Sequence, residues 1–424
     1  MTSDSGKAPS RRRFLGTAGL AGASVAALPA AAAQAAMSAP KVPDMFDVVV
    51  PFYGARQQGI TTGMQSSIYF AAFDLATDKR EDVVALLKRW TIAAARICAG
   101  LPAEAGEQSP DAPGLDTYDT LGLKPAGLTM TFGFGPDLFT LNGKDRYGVA
   151  AMRPAALVDI PAFNGDQMVE DQCGGALCVQ ACSNNAQVSF HAVREMARLS
   201  YGVASIKWTQ SGFSPANISP GTPRNLMGFK DGTLNPTGHV MDAAVWVGAD
   251  GTPWMQGGSY VVTRRIRMAL EHWERTNVGF QEQTFGRKKL SGAPLSGTHE
   301  FDKPNYQAVD ADGNYLIAQN SHVRLAAPEL NDGAQILRRS YGYHNGAVFT
   351  AERWPPWRQA VEFDAGLFFL AYQKDPRTGF IKLFEKMSKF DMLNQFTTHV
   401  NNAVFACPPG TKAGGYIGET LFTA

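Results

Sequence analysis

Most of the short signatures that mark an enzyme's chemistry are absent from this chain. There is no HExxH, no GxSxG, no phosphate-binding Walker loop, and no GxGxxG opening a helix after a strand. Zinc protease, serine hydrolase, nucleoside triphosphatase and dinucleotide-binding readings fall together. Charge is also sparse: only 18% of residues are charged, and 39 Lys and Arg nearly cancel 38 Asp and Glu. No basic run occurs outside the N-terminus, which argues against nucleic acid as a partner. Cysteine is scarce and odd in number, with five residues of which only Cys173, Cys178 and Cys182 cluster. Their spacing is not the CxxC of zinc or iron–sulfur ligands. Cys178 and Cys182, four apart on a predicted strand, share one face and read as buried, inert thiols, with a disulfide left open. Long apolar runs are missing as well; the most apolar late segment, GLFFLAYQ, is far too short to span a bilayer.

What is present begins at the N-terminus. Ser10-Arg11-Arg12-Arg13-Phe14-Leu15 precedes an Ala- and Gly-rich run that ends in Ala33-Gln34-Ala35, an A-x-A cleavage pattern. The pattern predicts a twin-arginine signal peptide over residues 1–36, export through the twin-arginine translocase, and a periplasmic or extracellular mature chain. Proteins on this route are often exported already folded around a cofactor.

Further along, SSIYFAAFDL, ALCVQACS and SIKWTQS read as strands, LTMTFGFG alternates at period two through Leu128, Met130, Phe132 and Phe134, and EDVVALLKRWTIAAARICAG and AQVSFHAVREMARLS read as helices, with Val83, Val84, Leu87 and Trp90 on one face of the first. The order is βαββαβ, the ferredoxin-like unit. A second block has strands in GGSYVVTRRIRM, QILRRSYGY and GLFFLAYQ, a short helix in ALEHWERT, and a helix predicted over FIKLFEKMSKFDMLNQFTTHVNNAV. A connection from about Gln281 to Val323 separates its halves, and loops of that length are usually functional or disordered. The chain divides near residue 225, giving domains over 37–225 and 226–424.

Seven histidines are present, and pattern alone selects none of them; His191, His272 and His399 fall in predicted helices, and His322 stands alone in NSHVRLAAP. The turn NLMGFKDGTLNP sets Lys230 and Asp231 between Gly228 and Gly232, which by itself makes a good turn and nothing more.

Eight blocks in order change that balance: VPFYGARQQGI, NLMGFKDGT, GGSYVVTRRIRM, FGRKKLSGAPL, SHVRLAAP, ILRRSYGY, GLFFLAYQ and FACPPG. Together they resemble the DyP-type (dye-decolourising) haem peroxidases, and within them the exported deferrochelatase/peroxidase branch. The resemblance implies an α+β fold of two ferredoxin-like domains, each an antiparallel β-sheet with peripheral helices, with haem b (iron protoporphyrin IX) bound mainly by the C-terminal one. It implies reduction of hydrogen peroxide through a ferryl-porphyrin radical, with dyes and phenols as bulky aromatic electron donors. Asp231 then matches the distal proton carrier, Arg338 the distal arginine, His322 the proximal iron ligand and Arg287 a position near a haem propionate. Asp391 is the candidate carboxylate for the second ring nitrogen of His322, and equally a helix N-cap. Of the adjacent arginines only one can face the haem, which leaves Arg339 as a surface ion pair. Phe368 or Phe369 covers the distal face or packs the core. Tyr341, Tyr343, Trp357 and Tyr372 are candidate surface relays for electrons. Iron-uptake proteins and a second copy of the chain stay open as partners. Haem-iron release and non-enzymatic haem carriage are the alternative functions.

Overall fold

The computed structural model describes residues 45–215, 221–351 and 359–423; the predicted signal peptide and Trp357 lie outside them. The first half builds strands β1 (Ser67–Leu75), β2 (Thr129–Phe134), β3 (Leu177–Ser183) and β4 (Ala204–Phe213) with helices α1 (Arg80–Cys98) and α2 (Ala186–Leu199). Glu81 and Asp82 in the first turn of α1 meet the positive end of the helix dipole. Val83, Leu86, Leu87, Trp90, Ala94 and Ile97 form its buried stripe, at the 3–4 spacing of a helix face. Val84, predicted on that face, is only partly buried. Helix α2 is capped by Asn185, whose side chain accepts from the Gln187 N–H, and Trp90 Nε1 locks the two helices by donating to Met196 O at 2.8 Å.

The second half supplies β5 (Ser259–Met268), β6 (Leu337–Arg338), β7 (Tyr341–Ala351), β8 (Gln359–Gln373) and β9 (Thr397–Cys407). Helices α3 (Val278–Phe285), α4 (His322–Leu325) and α5 (Lys382–Phe390) cover it. The helix expected through residue 404 stops at Phe390. Asp391 is extended there, its side chain accepts from the Leu393 N–H, and TTHVNNAVFAC pairs with β5 as a strand, so His399 is a strand residue.

The expectation of two separate sheets is corrected by the pairing. All strands belong to one nine-stranded antiparallel sheet in the order β5-β9-β2-β3-β1-β4-β7-β8-β6, which an additional β5–β8 pairing closes on itself. The joints are narrow: Phe134 pairs with Ala406, and Phe213 with Gly342. Without them β2 and β4 would be edge strands along their whole length, and each joint covers one end of such an edge.

Closure also decides which side chains are internal. Phe70, Trp208, Phe368 and Phe405 pack in one apolar cluster with Tyr341, Tyr343 and Tyr372. Those three tyrosines are 0–1% exposed and are not surface relays as expected. Cys178, Cys182 and Cys407 share the cluster, all five cysteines are free, and burial pushes the Cys178 and Cys407 thiols up. Arg339 is not a surface ion pair either: it is 4% exposed and holds the 62–65 segment through Thr62 O and Gln65 Oε1.

At Gly366 on β8 the backbone of β5 lies where a side chain would stand. A Cβ there would lie 1.9 Å from Ile266 O, a backbone atom that cannot move aside. Gly366→Ala is expected to destabilise by about 1–3 kcal/mol, as overpacking does. Thermal unfolding checks this, and an unchanged melting temperature would refute the close approach.

Candidate active site

The outer face of β5 and β8 and the helices over it enclose a cavity of about 1500 Å³, counting its open mouth. Its walls are mainly apolar, with Ile266, Leu367 and Phe369 from the strands and Phe285, Val323 and Phe384 from the helical side. Phe369 lines the cavity while Phe368 is internal, as alternation along β8 requires. Asp231, Arg287, His322, Arg338 and Asp391, picked out far apart in the chain, all line this one cavity.

His322 opens the short helix α4, with 30% of its side chain exposed. Its Nδ1 lies 2.7 Å from Asp391 Oδ2, and Asp391 is almost fully buried. Asp391 Oδ1 meanwhile accepts from Leu393 N at 2.9 Å. Both sequence readings of Asp391 therefore hold geometrically, one on each oxygen. A proton on Nδ1 would be donated to Asp391, and Nε2 would then be the ring nitrogen able to bind a metal.

Arg338 Nη1 meets Asp231 Oδ1 at 2.8 Å. The turn carrying Asp231 needs its glycines: Gly228 and Gly232 have φ of +87° and +98°. Asn225 Oδ1 stiffens the entry by accepting from the N–H groups of Met227 and Phe229. Asn235, which sequence reasoning missed, fixes the partner strand: its Nδ2 donates to Arg338 O at 2.8 Å and its Oδ1 accepts from Arg338 N at 3.2 Å. The only sequence signal for it was its place in the same turn.

Arg287 is 6% exposed. Its Nη1 donates to Gly292 O and Glu300 O, while its buried Nη2 has no protein partner. Burial lowers its pKa against the opposing pull of Tyr306 and Glu300, so an anionic group brought to Nη2 would be favourably placed. His399, also missed, lines the cavity from β9 and accepts from the fully buried Arg264 at 3.1 Å. Burial and that cation hold its imidazole well below the usual range.

The expectation that haem is held mainly by the C-terminal half is corrected by where the metal-capable side chains gather. The three-residue cluster found among the described residues, Asp116, His191 and Glu195, lies in the N-terminal half, with ligand atoms all within 4.8 Å. His191 Nδ1 lies 2.6 Å from Asp119 Oδ1. Asp116 accepts from Ala103 N and Tyr118 N, and Glu195 from Thr117 N and Arg198 Nε.

Residues 57–214 match the family described as Dyp-type peroxidase, N-terminal, and residues 222–412 match Dyp-type peroxidase, C-terminal. The chain belongs to the DyP-type peroxidases. Among curated relatives of this peroxidase, the dye-decolorizing peroxidase of Thermobifida fusca is 35% identical over 385 residues, covering 87% of this chain and 84% of that protein. The deferrochelatase of Escherichia coli (strain K12) is 35% identical over 384 residues, covering 88% and 86%. A solved DyP-type peroxidase from Streptomyces coelicolor superposes with a TM-score of 0.81 at 37% identity, over 90% of this chain and 98% of that one. This DyP-type peroxidase is therefore a haem-dependent enzyme of the deferrochelatase/peroxidase branch that acts on peroxide. Its cavity fits a haem in kind: a large apolar slot, one imidazole with a free Nε2, and a buried cationic nitrogen without a partner.

Proposed function

We propose that the cavity takes iron protoporphyrin IX, whose iron His322 Nε2 would hold, and that the enzyme reduces hydrogen peroxide with electrons from bulky aromatic donors such as dyes and phenols. One observation carries this reading: a carboxylate-backed imidazole and an aspartate–arginine pair line the same apolar cavity. Bound haem would supply the iron at which the peroxide O–O bond breaks and the store of oxidising equivalents that donors then fill. The chain's own residues do the rest. Asp391 accepts the Nδ1 proton of His322, orients the ring and makes Nε2 more basic. Asp231 takes a proton from the incoming peroxide and returns it to the departing oxygen, which leaves as water. Arg338 holds the peroxide anion and opposes the negative charge that grows on that oxygen. Arg287 offers its unpartnered Nη2 to a carboxylate at the cofactor's edge. The balance is one peroxide, two electrons and two protons in, and two waters out. A Soret band in the purified protein that changes on one equivalent of peroxide is expected; a peroxide-insensitive spectrum would overturn the reading.

The mature halves in this reading are 37–225 and 226–424, and the protein works outside the cytoplasm. Arg11 and Arg12 match the pair that the twin-arginine translocase reads. Arg11→Lys with Arg12→Lys is expected to leave haem-loaded protein in the cytoplasm, as cell fractionation would show; undiminished secretion would refute this route. A second reading, release of iron from haem beside iron-uptake proteins, is favoured by the relatives named deferrochelatase. It predicts iron-free porphyrin among the products.

A further inference from the structure

We infer that Glu300 is the positioning residue of the loop that carries Asp231, and that it ties this loop to Arg287. The inference rests on the proposed role of Asp231. Glu300 lies in the long connection between α3 and α4, and only 11% of its side chain is exposed. Its Oε1 accepts from Thr222 N at 2.9 Å, from Thr222 Oγ1 at 2.6 Å and from Thr233 Oγ1 at 3.3 Å. Its Oε2 pairs with Lys230 Nζ at 3.3 Å. Residues on both sides of Asp231 thus converge on one carboxylate.

The same group sets the template for the turn. Lys230 Nζ also donates to Thr222 O at 2.9 Å, and the Asp231 amide donates to Pro223 O at 2.9 Å. Glu300 therefore fixes the 222–224 segment against which Asp231 is laid. Its backbone oxygen accepts from Arg287 Nη1 at 2.9 Å, so the cation facing the cavity and the proton carrier share an anchor. The neighbouring backbone makes room for it. A Cβ on Gly221 would fall 2.8 Å from Glu300 Oε2, and one on Gly292 would fall 2.6 Å from Lys230 Cγ. Burial would raise the Glu300 pKa, but the Thr222 bonds and Lys230 outweigh it and hold the carboxyl below its usual range, so it is anionic when it makes these contacts. A carboxylate aimed loosely by even about 1 Å can lose some 100-fold in rate.

The test uses full-length, haem-loaded Glu300→Gln and Thr222→Val beside Asp231→Asn. Glu300→Gln is expected to slow the stopped-flow reaction with peroxide by about 10- to 100-fold. The kcat/KM for the aromatic donor and the rate of haem loss to apomyoglobin should stay within about twofold of wild type, because neither depends on where Asp231 points. Hydrogen exchange should quicken at the Thr222 and Asp231 amides. Adding Glu300→Gln to Asp231→Asn should cost less than about threefold more, since the two act as one unit. Thr222→Val, which removes one hydroxyl anchor, should show a smaller loss of the same kind, and it carries the test if Glu300→Gln does not fold. Wild-type rates in both variants, with Asp231→Asn slow, would overturn the inference alone. A multiplicative loss in the double variant would overturn it too. A wild-type rate in Asp231→Asn would instead bring down the reading of Asp231 on which it rests.

Discussion

Asp231→Asn and Arg338→Leu are each expected to bind haem as the wild type does and to react with peroxide far more slowly. Positioned acid–base groups contribute about 100- to 10,000-fold and one preorganised charge donor about 100- to 1000-fold. The two side chains meet at 2.8 Å, held by a turn with two left-handed glycines on one side and by the reciprocal Asn235 bonds on the other. Neither substitution removes those supports. Stopped-flow mixing of ferric enzyme with peroxide measures the loss. The double variant should lose less than the product of the single losses, because the pair acts as a unit. Wild-type rates in both single variants would replace the peroxidase mechanism drawn above with haem carriage.

Loss of haem from His322→Ala is the second large effect expected. The imidazole is the cavity-lining group with a metal-binding nitrogen left free by its partner, since Nδ1 is committed to Asp391. His191→Ala is the matched control. Its ring sits beside Asp116, Asp119 and Glu195, and the oxygens of Asp116 and Glu195 already accept bonds from Ala103, Tyr118, Thr117 and Arg198. The haem content of the two purified variants, read from the ratio of Soret to protein absorbance, decides between them. Retention by His322→Ala with loss by His191→Ala would move the iron to the N-terminal cluster.

Local elements were legible because their causes are local. The strand-forming runs of β1 to β4, the acidic first turn of α1 and the Asn185 cap of α2 are each written within a few residues. The error over residues 391–404 has a local cause as well. A strong amphipathic helix runs directly into Asp391, which ends it by extending the backbone and capping the next turn, and helical periodicity carries no sign of that change. His399 went with the error, and so did the Arg264–His399 contact, which needs β5 and β9 side by side.

By itself the sequence determined the residue types, the glycine-bounded turn that carries Asp231, the alternation that separates Arg338 from Arg339, and the order of eight blocks that marks the family. Only the tertiary structure decided which groups meet. Asp231 and Arg338 are 107 residues apart and His322 and Asp391 are 69 apart, and both pairs form across elements with no local bond between them. Closing the sheet through single pairings at Phe134 and Phe213 buried the tyrosines and Arg339, which sequence alone left at the surface. A strand's pattern says that it has two faces. Which face is inside depends on the strand it is joined to, and that partner lies far away in the chain.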